Sequence, residues 1–135
     1  MMYETNKDRQ NQDRLAWVLE NIGYHVEQTD TFVAWDMRLC LDGSLYAVVE
    51  CKFRDRAWDP LKVDVSKIKA LCAEARKQSC KPLFIVGYPG PPYFWVTAHT
   101  DFQTGTMLRM RGGERRGETP DDVFLIPQKK FKKIQ

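Results

Sequence analysis

Apolar residues recur with helical spacing in two segments of the chain. Residues 5–22 are predicted to form a helix, which Gly23 ends. A second helix is predicted to begin with Asp64 or Ser66 as its cap and to end near Ser79. The apolar stripe of the first helix consists of Leu15, Val18, Leu19 and Ile22. That of the second consists of Val65, Ile68, Leu71, Cys72 and Ala75, with Lys67, Arg76 and Lys77 predicted to lie away from it.

Shorter apolar or alternating runs predict strands around these helices. A loop containing Asp59 and Pro60 is expected after the third strand, and residues 100–120 are glycine-rich, charged and typical of a loop. The order α-β-β-β-α-β-β predicts an α/β fold with a mixed central sheet flanked by helices. The predicted strands cover residues 24–28, 32–41, 45–52, 83–88, 93–98 and 122–127.

The composition is that of a folded protein. With 135 residues, of which 43% are hydrophobic, the chain suits a single domain, with a core at residues 5–98 and a basic C-terminal extension at 99–135. It has no apolar run long enough to span a membrane and no signal-peptide pattern, so a cytoplasmic protein is expected. The four cysteines lack C-x-x-C spacing, and the chain has two histidines, which argues against a zinc site.

Positive charge is concentrated near the C-terminus. The net charge is +3, but residues 107–135 contribute +4, from eight basic and four acidic residues, whereas residues 1–106 contribute −1. Basic clusters suit the phosphate backbone of nucleic acids. A solvated, solubilising tail is an equally good interpretation of a short lysine run.

Three polar residues interrupt the apolar strand patterns. The run Leu-Tyr-Ala-Val-Val at 45–49 continues directly into Glu50, Cys51 and Lys52. Because side chains alternate along a strand, Glu50 and Lys52 share one face while Cys51 points to the other. Desolvating these charges is unfavourable unless each has a partner, and a divalent cation would suit the carboxylate. The alternative is a strand end that frays into solvent.

The turn before this strand decides where Asp36 lies relative to Glu50. A three-residue loop, Asp42-Gly43-Ser44, pairs Leu41 with Leu45 and places Asp36 directly opposite Glu50. A two-residue loop instead puts the two carboxylates on opposite faces, because a one-residue slip inverts every side chain. A shared site therefore requires the three-residue loop or a bulge with the same effect.

The core-facing stripe of the first helix becomes polar towards its N-terminus. Extending the stripe backwards gives Gln12, Asn11 and Asp8. Such a change indicates either that the helix borders a functional site or that its first turns project beyond the core.

Asp36 and the Glu50-x-Lys52 strand, preceded by a helix and a strand and followed by a helix and two strands, resemble the PD-(D/E)XK nuclease superfamily. The likeness is greatest to Holliday-junction resolvases and small phage-encoded nucleases, in which an acidic helix ending in Gly-aromatic precedes the Asp. Here that helix is NQDRLAWVLENIGY. The resemblance covers residues 5–98 and implies a restriction-endonuclease-like core.

The resemblance also implies a Mg²⁺- or Mn²⁺-dependent nuclease acting on DNA. Asp36 and Glu50 would bind the metal, with the carbonyl of Cys51 as a further ligand. Lys52 would orient or activate the attacking water, or stabilise the negative charge that develops on the phosphate. These roles agree with the preference of Mg²⁺ for oxygen ligands and with the compact charge of lysine. Relatives that cut two strands act as dimers, which implies a homodimer here.

Auxiliary residues are also implied by the resemblance. Gln12 stands where relatives usually have Glu, a departure that weakens a cation site, and Asp8 lies one turn earlier on the same stripe. Ser66 and Lys69, at the start of the second helix, would face the site. Ser66 is equally well explained as a helix cap.

Six basic residues are candidates for binding DNA phosphates, although a solvated loop or tail explains them equally well. Two rival functions remain open at this point. One is the same fold binding nucleic acid without cutting it, which Gln12 favours. The other is a structural or assembly protein in which the polar triad is coincidental. The candidate DNA-binding residues are Arg54, Arg56, Arg115, Arg116, Lys129 and Lys130.

Overall fold

A computed structural model of the protein describes residues 6–29, 35–56, 58–89, 95–99, 108–111 and 122–134. It contains two α-helices, α1 (Asn6–Asn21) and α2 (Val65–Lys77), and a 3-10 helix, Gln128–Lys130. The strands are β1 (His25–Gln28), β2 (Met37–Leu41), β3 (Ser44–Phe53), β4 (Leu61–Asp64), β5 (Lys81–Tyr88), β6 (Trp95–His99), β7 (Leu108–Arg111), β8 (Asp122–Ile126) and β9 (Lys132–Lys133). No helix in the described part of the chain is long and apolar enough to cross a membrane.

A central six-stranded sheet has the strand order β1-β2-β3-β5-β6-β9. Its strands β3 and β5 are parallel, and the other neighbouring pairs are antiparallel, so the sheet is mixed as predicted. The parallel pair is connected through β4 and α2, which supply the crossover that parallel strands need. The predicted sheet is therefore confirmed, and its centre is the pair of strands β3 and β5.

The two helices cover opposite faces of this sheet. Leu15, Val18 and Leu19 of α1 pack on apolar residues of β2, β3 and β5, as the helical stripe predicted. Ile22, the fourth member of that stripe, follows the helix end and is 44% exposed. The α2 face buries Val65, Ile68, Leu71 and Ala75, again as predicted. Because β3 alternates, Val49 lies on the α1 face and Val48 on the α2 face.

A second, three-stranded sheet has the order β4-β8-β7. The sequence interpretation placed 61–64 after a loop without a strand, and that was wrong: Leu61 and Val63 alternate inward as β4. Strand β7 also contradicts the loop expected over residues 100–120. The predicted strand near the C-terminus is confirmed as β8. These strands pack against the first turns of α2 and against β5, on the face that carries Val48.

The β2–β3 hairpin differs in detail from the expected three-residue loop. Leu41 pairs with Ser44 across a two-residue turn, in which Asp42 and Gly43 both have positive φ (51° and 81°). Such a turn matches the twist of a hairpin, and its Asp-Gly sequence is typical of it. The three-residue loop was therefore wrong. A bulge then intervenes, because Cys40 pairs with Leu45 but Leu39 pairs with Ala47, which leaves Tyr46 unpaired.

The C-terminal lysines belong to ordered structure. Strand β9 pairs with β6 at the edge of the central sheet, and Phe131, just before it, is 8% exposed within the apolar cluster beneath the second sheet. Residues 128–134 thus contribute to the core, and their removal would disturb the fold as well as the charge.

Candidate functional site

Two carboxyl groups meet at the end of the β2–β3 hairpin, on the α2 face of the central sheet. Met37 pairs with Val49 at the end of the β2–β3 ladder, and Asp36 directly precedes Met37 while Glu50 directly follows Val49. The main-chain N–H of Asp36 donates to the carbonyl of Val49 (2.8 Å), and that of Cys51 donates to Asp36 Oδ2 (2.7 Å). The two carboxyl groups are close enough for each to influence the ionisation of the other. The Tyr46 bulge supplies the shift that the expected longer loop would have supplied.

Asp36 is held at its backbone as well as at its side chain. Its carbonyl accepts a hydrogen bond from the N–H of Thr29 (3.0 Å), and Thr29 Oγ1, which donates to the carbonyl of Trp35 (2.6 Å), lies 3.0 Å from the same oxygen. Gln12 Nε2 lies 3.5 Å from the same oxygen. The Asp36 carboxylate is thereby fixed before any ligand arrives. The sequence interpretation missed Thr29, and a threonine at the end of a short strand gives no distinctive signal.

Burial makes both carboxyl groups hard to ionise, and the charge of Asp36 adds to this effect at Glu50. Glu50 is 7% exposed. Burial, followed by the charge of Asp36, raises the pKa of Glu50 to about 8. Burial also raises the pKa of Asp36, although the Cys51 N–H and nearby lysines oppose the shift. A bound cation would stabilise the fully deprotonated form of the Asp36–Glu50 pair, which is unfavourable without it.

Lys52 lies beside the carboxyl pair, two residues beyond Glu50 on the same face of β3. Burial and then the positive charges of Arg54 and Lys67 lower the pKa of the Lys52 ammonium, while Asp64 and Glu50 oppose the shift. The structure thus brings together the three residues that the sequence singled out: Asp36, Glu50 and Lys52.

A second lysine, Lys67 in the first turn of α2, also reaches the pair. Its Nζ lies 3.6 Å from Glu50 Oε1. The sequence interpretation placed Lys67 away from the apolar stripe of this helix and gave it no role in the site. It expected Ser66 and Lys69 there instead, but both side chains are exposed. Asp64 occupies the N-cap position of α2, without a side-chain capping bond. The lysine that α2 contributes to the site is therefore Lys67.

Gln12 faces inward, as the polar end of the α1 stripe predicted. It is 6% exposed, and its Nε2 donates to Gln28 Oε1 (3.2 Å) in addition to its long contact with the carbonyl of Asp36. Its contact is thus with the main chain of Asp36 rather than with the carboxylate. Asp8 lies on the exposed surface of the helix.

Gln12→Glu should have two opposite effects. A carboxylate at this position cannot donate to the carbonyl of Asp36 or to Gln28, so unfolding of the metal-free protein should become easier by about 1–3 kcal/mol. The added negative charge should tighten divalent-metal binding. Denaturation with and without Mg²⁺ measures both effects. Destabilisation with unchanged Mg²⁺ affinity would show that position 12 supports Asp36 but does not influence the metal.

The basic residues that were predicted to bind DNA differ in exposure and in position. Arg54 is half-buried beside β5, where its N–H donates to Gly87, and burial lowers the pKa of its guanidinium. The Arg56 guanidinium lies 3.8 Å above the ring of Trp58, in the loop after β3. Lys129 and Lys130 are exposed in the 3-10 helix. Arg115 and Arg116 lie outside the described residues.

The donor atoms at the site suit a small divalent cation. Asp36 and Glu50 offer carboxylate oxygens, and Cys51, whose N–H donates to Asp36 Oδ2, directly follows Glu50 in β3, so its carbonyl would complete an all-oxygen set of the kind that Mg²⁺ prefers. Within the described ranges, no group of three or more His, Cys, Asp or Glu side chains is placed to hold a metal. The fit therefore rests on two side chains and a carbonyl, which is compatible with the several waters that Mg²⁺ retains.

The mixed sheet between two helices, with Glu50 and Lys52 at the end of its central parallel pair of strands, has a restriction-endonuclease-like fold. The chain is similar in fold to the solved structure of Hjc, a Holliday junction resolvase from the archaeal hyperthermophile Archaeoglobus fulgidus, with a TM-score of 0.61 at 17% sequence identity, over 96% of this chain and 93% of that one. No protein-family model and no curated protein sequence matches the chain. The likeness confirms the predicted fold.

Proposed function

We propose that the protein is a Mg²⁺-dependent (or Mn²⁺-dependent) nuclease that hydrolyses phosphodiester bonds in DNA. The observation that carries the proposal is the proximity of the half-buried Asp36 carboxyl group to the buried Glu50 carboxyl group, with Lys52 beside them. A buried pair of this kind is unfavourable without a cation, and it lies on a fold shared with a Holliday junction resolvase. The proposal extends to a cytoplasmic protein, in the host cytoplasm if it is phage-encoded, and to a homodimer for substrates cut on two strands.

Each residue of the site has a distinct task in this chemistry. Asp36 and Glu50 would hold the metal together with the carbonyl of Cys51. Bound Mg²⁺ polarises a phosphoryl oxygen and lowers the pKa of a bound water. Lys52 would stabilise the negative charge that develops as water attacks phosphorus and the P–O bond to the leaving strand breaks. The hydrogen bonds of Thr29 and the Cys51 N–H keep Asp36 in place throughout, so little reorganisation is needed.

A second surface beside the site suits unpaired DNA. Trp58 is 47% exposed beneath the Arg56 guanidinium. Gln128 ties this loop to the end of β5, since its Nε2 donates to the carbonyl of Trp58 (2.6 Å) and to Tyr88 Oη (3.2 Å). Because β3 and β5 are parallel, the loop lies at the sheet end towards which the Lys52 strand runs. An exposed ring with a neighbouring cation is suited to stacking on a base.

Trp58→Ala should weaken binding to single-stranded or branched DNA by about 5- to 10-fold, because one stacking contact is lost. Binding to uninterrupted duplex should change less, since its bases are already stacked. Fluorescence anisotropy with labelled oligonucleotides in metal-free buffer measures both affinities.

Trp17→Ala provides a matched control for this measurement. Trp17 is 64% exposed on α1, which covers the opposite face of the sheet, so its loss should leave DNA affinity unchanged. Equal losses in the two variants would place the DNA elsewhere than at the Arg56–Trp58 loop.

The proposed activity is tested by incubating the purified protein with single-stranded, duplex and four-way-junction DNA in Mg²⁺, in Mn²⁺ and in EDTA. Cleavage product that requires the metal and that the Glu50→Gln variant does not form would support the proposed nuclease activity. Binding without cleavage on every substrate would favour the alternative, a nuclease-fold protein that recognises nucleic acid. That alternative is favoured by the small number of acidic ligands and by Gln12, which contacts the main chain of Asp36 rather than a metal position.

A further inference from the structure

Lys67 occupies a position that the proposed chemistry does not use. It lies in the first turn of α2, and its Nζ is 3.6 Å from Glu50 Oε1, a contact in which the lysine side chain is 28% exposed and the glutamate 9%. The positive charge of Lys67 acts on both carboxyl groups of the pair, and for each of them it acts more strongly than that of Lys52. In the metal-free protein, Lys67 is therefore the main cation at the site.

A divalent ion and Lys67 compete for the same oxygen atoms. An ion bound to Glu50 would require a carboxylate oxygen that now faces an ammonium group, and Lys67 also repels any cation that approaches Asp36. A lysine side chain is long and flexible enough to withdraw, and one with 28% exposure can be solvated when it does so.

We infer that Lys67 is a tethered counter-ion, which faces Glu50 in the metal-free protein, pairs with its carboxylate once the proton is lost, and is displaced when a divalent metal binds. The inference rests on the proposed function, because it takes the metal to bind at Asp36 and Glu50. Lys67 is thus a positioning residue that sets the metal concentration at which the site is loaded. A DNA phosphate that attracts the freed ammonium would favour metal binding, and the bound metal would favour DNA by the same factor.

Replacing Lys67 should tighten metal binding. Lys67→Met keeps much of the apolar length but removes the charge, and we expect the dissociation constant for Mg²⁺ to fall by about 3- to 10-fold. Removing Lys67 also strengthens proton binding to Glu50. Because the metal carries two positive charges and the proton carries one, the loss of a nearby cation increases the affinity for the metal more than the affinity for the proton. Calorimetric titration of DNA-free protein at pH 9, where few protons compete, measures the change.

Two further variants separate displacement from simple repulsion between cations. Lys69→Met removes the same charge two residues along the same helix, where the side chain is exposed, and should leave Mg²⁺ affinity within about 2-fold of wild type. Lys67→Arg keeps the charge but pairs more firmly with a carboxylate, so displacement predicts weaker Mg²⁺ binding than in wild type. Repulsion alone predicts no change for Lys67→Arg.

Acetylation followed by mass spectrometry tests the displacement directly. Adding Mg²⁺ to the wild-type protein should speed acetic anhydride labelling of Lys67 while labelling of Lys69 stays constant. Unchanged labelling, or Mg²⁺ affinity that Lys67→Met leaves unaltered although wild type binds the metal, would overturn the inference and leave the proposed function standing. If neither wild type nor Lys67→Met binds Mg²⁺ or Mn²⁺, the proposed metal site fails and the inference fails with it.

Discussion

Glu50→Gln should abolish metal-dependent DNA cleavage while leaving the protein folded. Losing a metal ligand removes stabilisation of the transition state, so we expect the cleavage rate to fall by about 100-fold or more. Glutamine has nearly the same shape and no charge, so the buried environment of residue 50 should accept it readily. Initial rates on the best substrate, at saturating Mg²⁺, measure the loss.

Glu20→Gln is a suitable control for this variant. Glu20 is an exposed residue of α1, which packs on the face opposite the carboxyl pair, so the same change there should leave the rate unaltered. Circular dichroism verifies that both variants remain folded. If Glu50→Gln cleaves as fast as wild type, the activity comes from another site or from a contaminant.

The metal-free protein should lose stability as the pH rises from about 4.5 to about 8. Over this range folded Glu50, with a pKa of about 8, holds a proton that the unfolded chain has released, so the free energy of unfolding falls. The raised pKa of Asp36 acts in the same direction. The loss attributable to Glu50 has an upper limit of about 5 kcal/mol.

Magnesium should reverse this dependence. The ion binds the deprotonated pair, so its stabilising effect should grow through the same pH range. Urea denaturation at several pH values, with EDTA or with Mg²⁺, gives the two curves. Glu50→Gln should flatten the metal-free curve and abolish the response to Mg²⁺. A wild-type curve that rises with pH in EDTA would contradict the raised pKa of Glu50.

Local patterns in the sequence were sufficient for the elements at the centre of the fold. The stripe of Leu15, Val18 and Leu19 identified α1, and the apolar run before Glu50 identified β3. The second sheet was not predicted because β4 and β7 are four residues long and are stabilised by pairing with β8, which is distant from β4 in the sequence. Short strands of this kind depend on tertiary contacts that a local pattern does not contain.

The candidate site was predicted in part. Whether the two carboxyl groups share a face depended on the register between β2 and β3. The sequence interpretation allowed for a bulge as the alternative to a longer loop, and the bulge at Tyr46 gives the required register. Lys67 was not predicted because the spacing of apolar residues indicates which side of α2 a residue faces. It does not indicate which turn of the helix lies next to the site. Lys67 lies in the first turn of α2, and although it is not part of the apolar stripe, its long side chain reaches Glu50.

The Tyr46 bulge also constrains how the length of this hairpin can change during evolution. A turn of two residues with a bulge and a turn of three residues without one give the same pairing of Met37 with Val49, beside which Asp36 and Glu50 lie. A single inserted or deleted residue in the turn would put the carboxylates on opposite faces, unless the bulge were lost or gained together with it. Homologous chains should therefore vary the two features jointly, and a mismatch between them would mark a lineage that has abandoned the carboxyl pair.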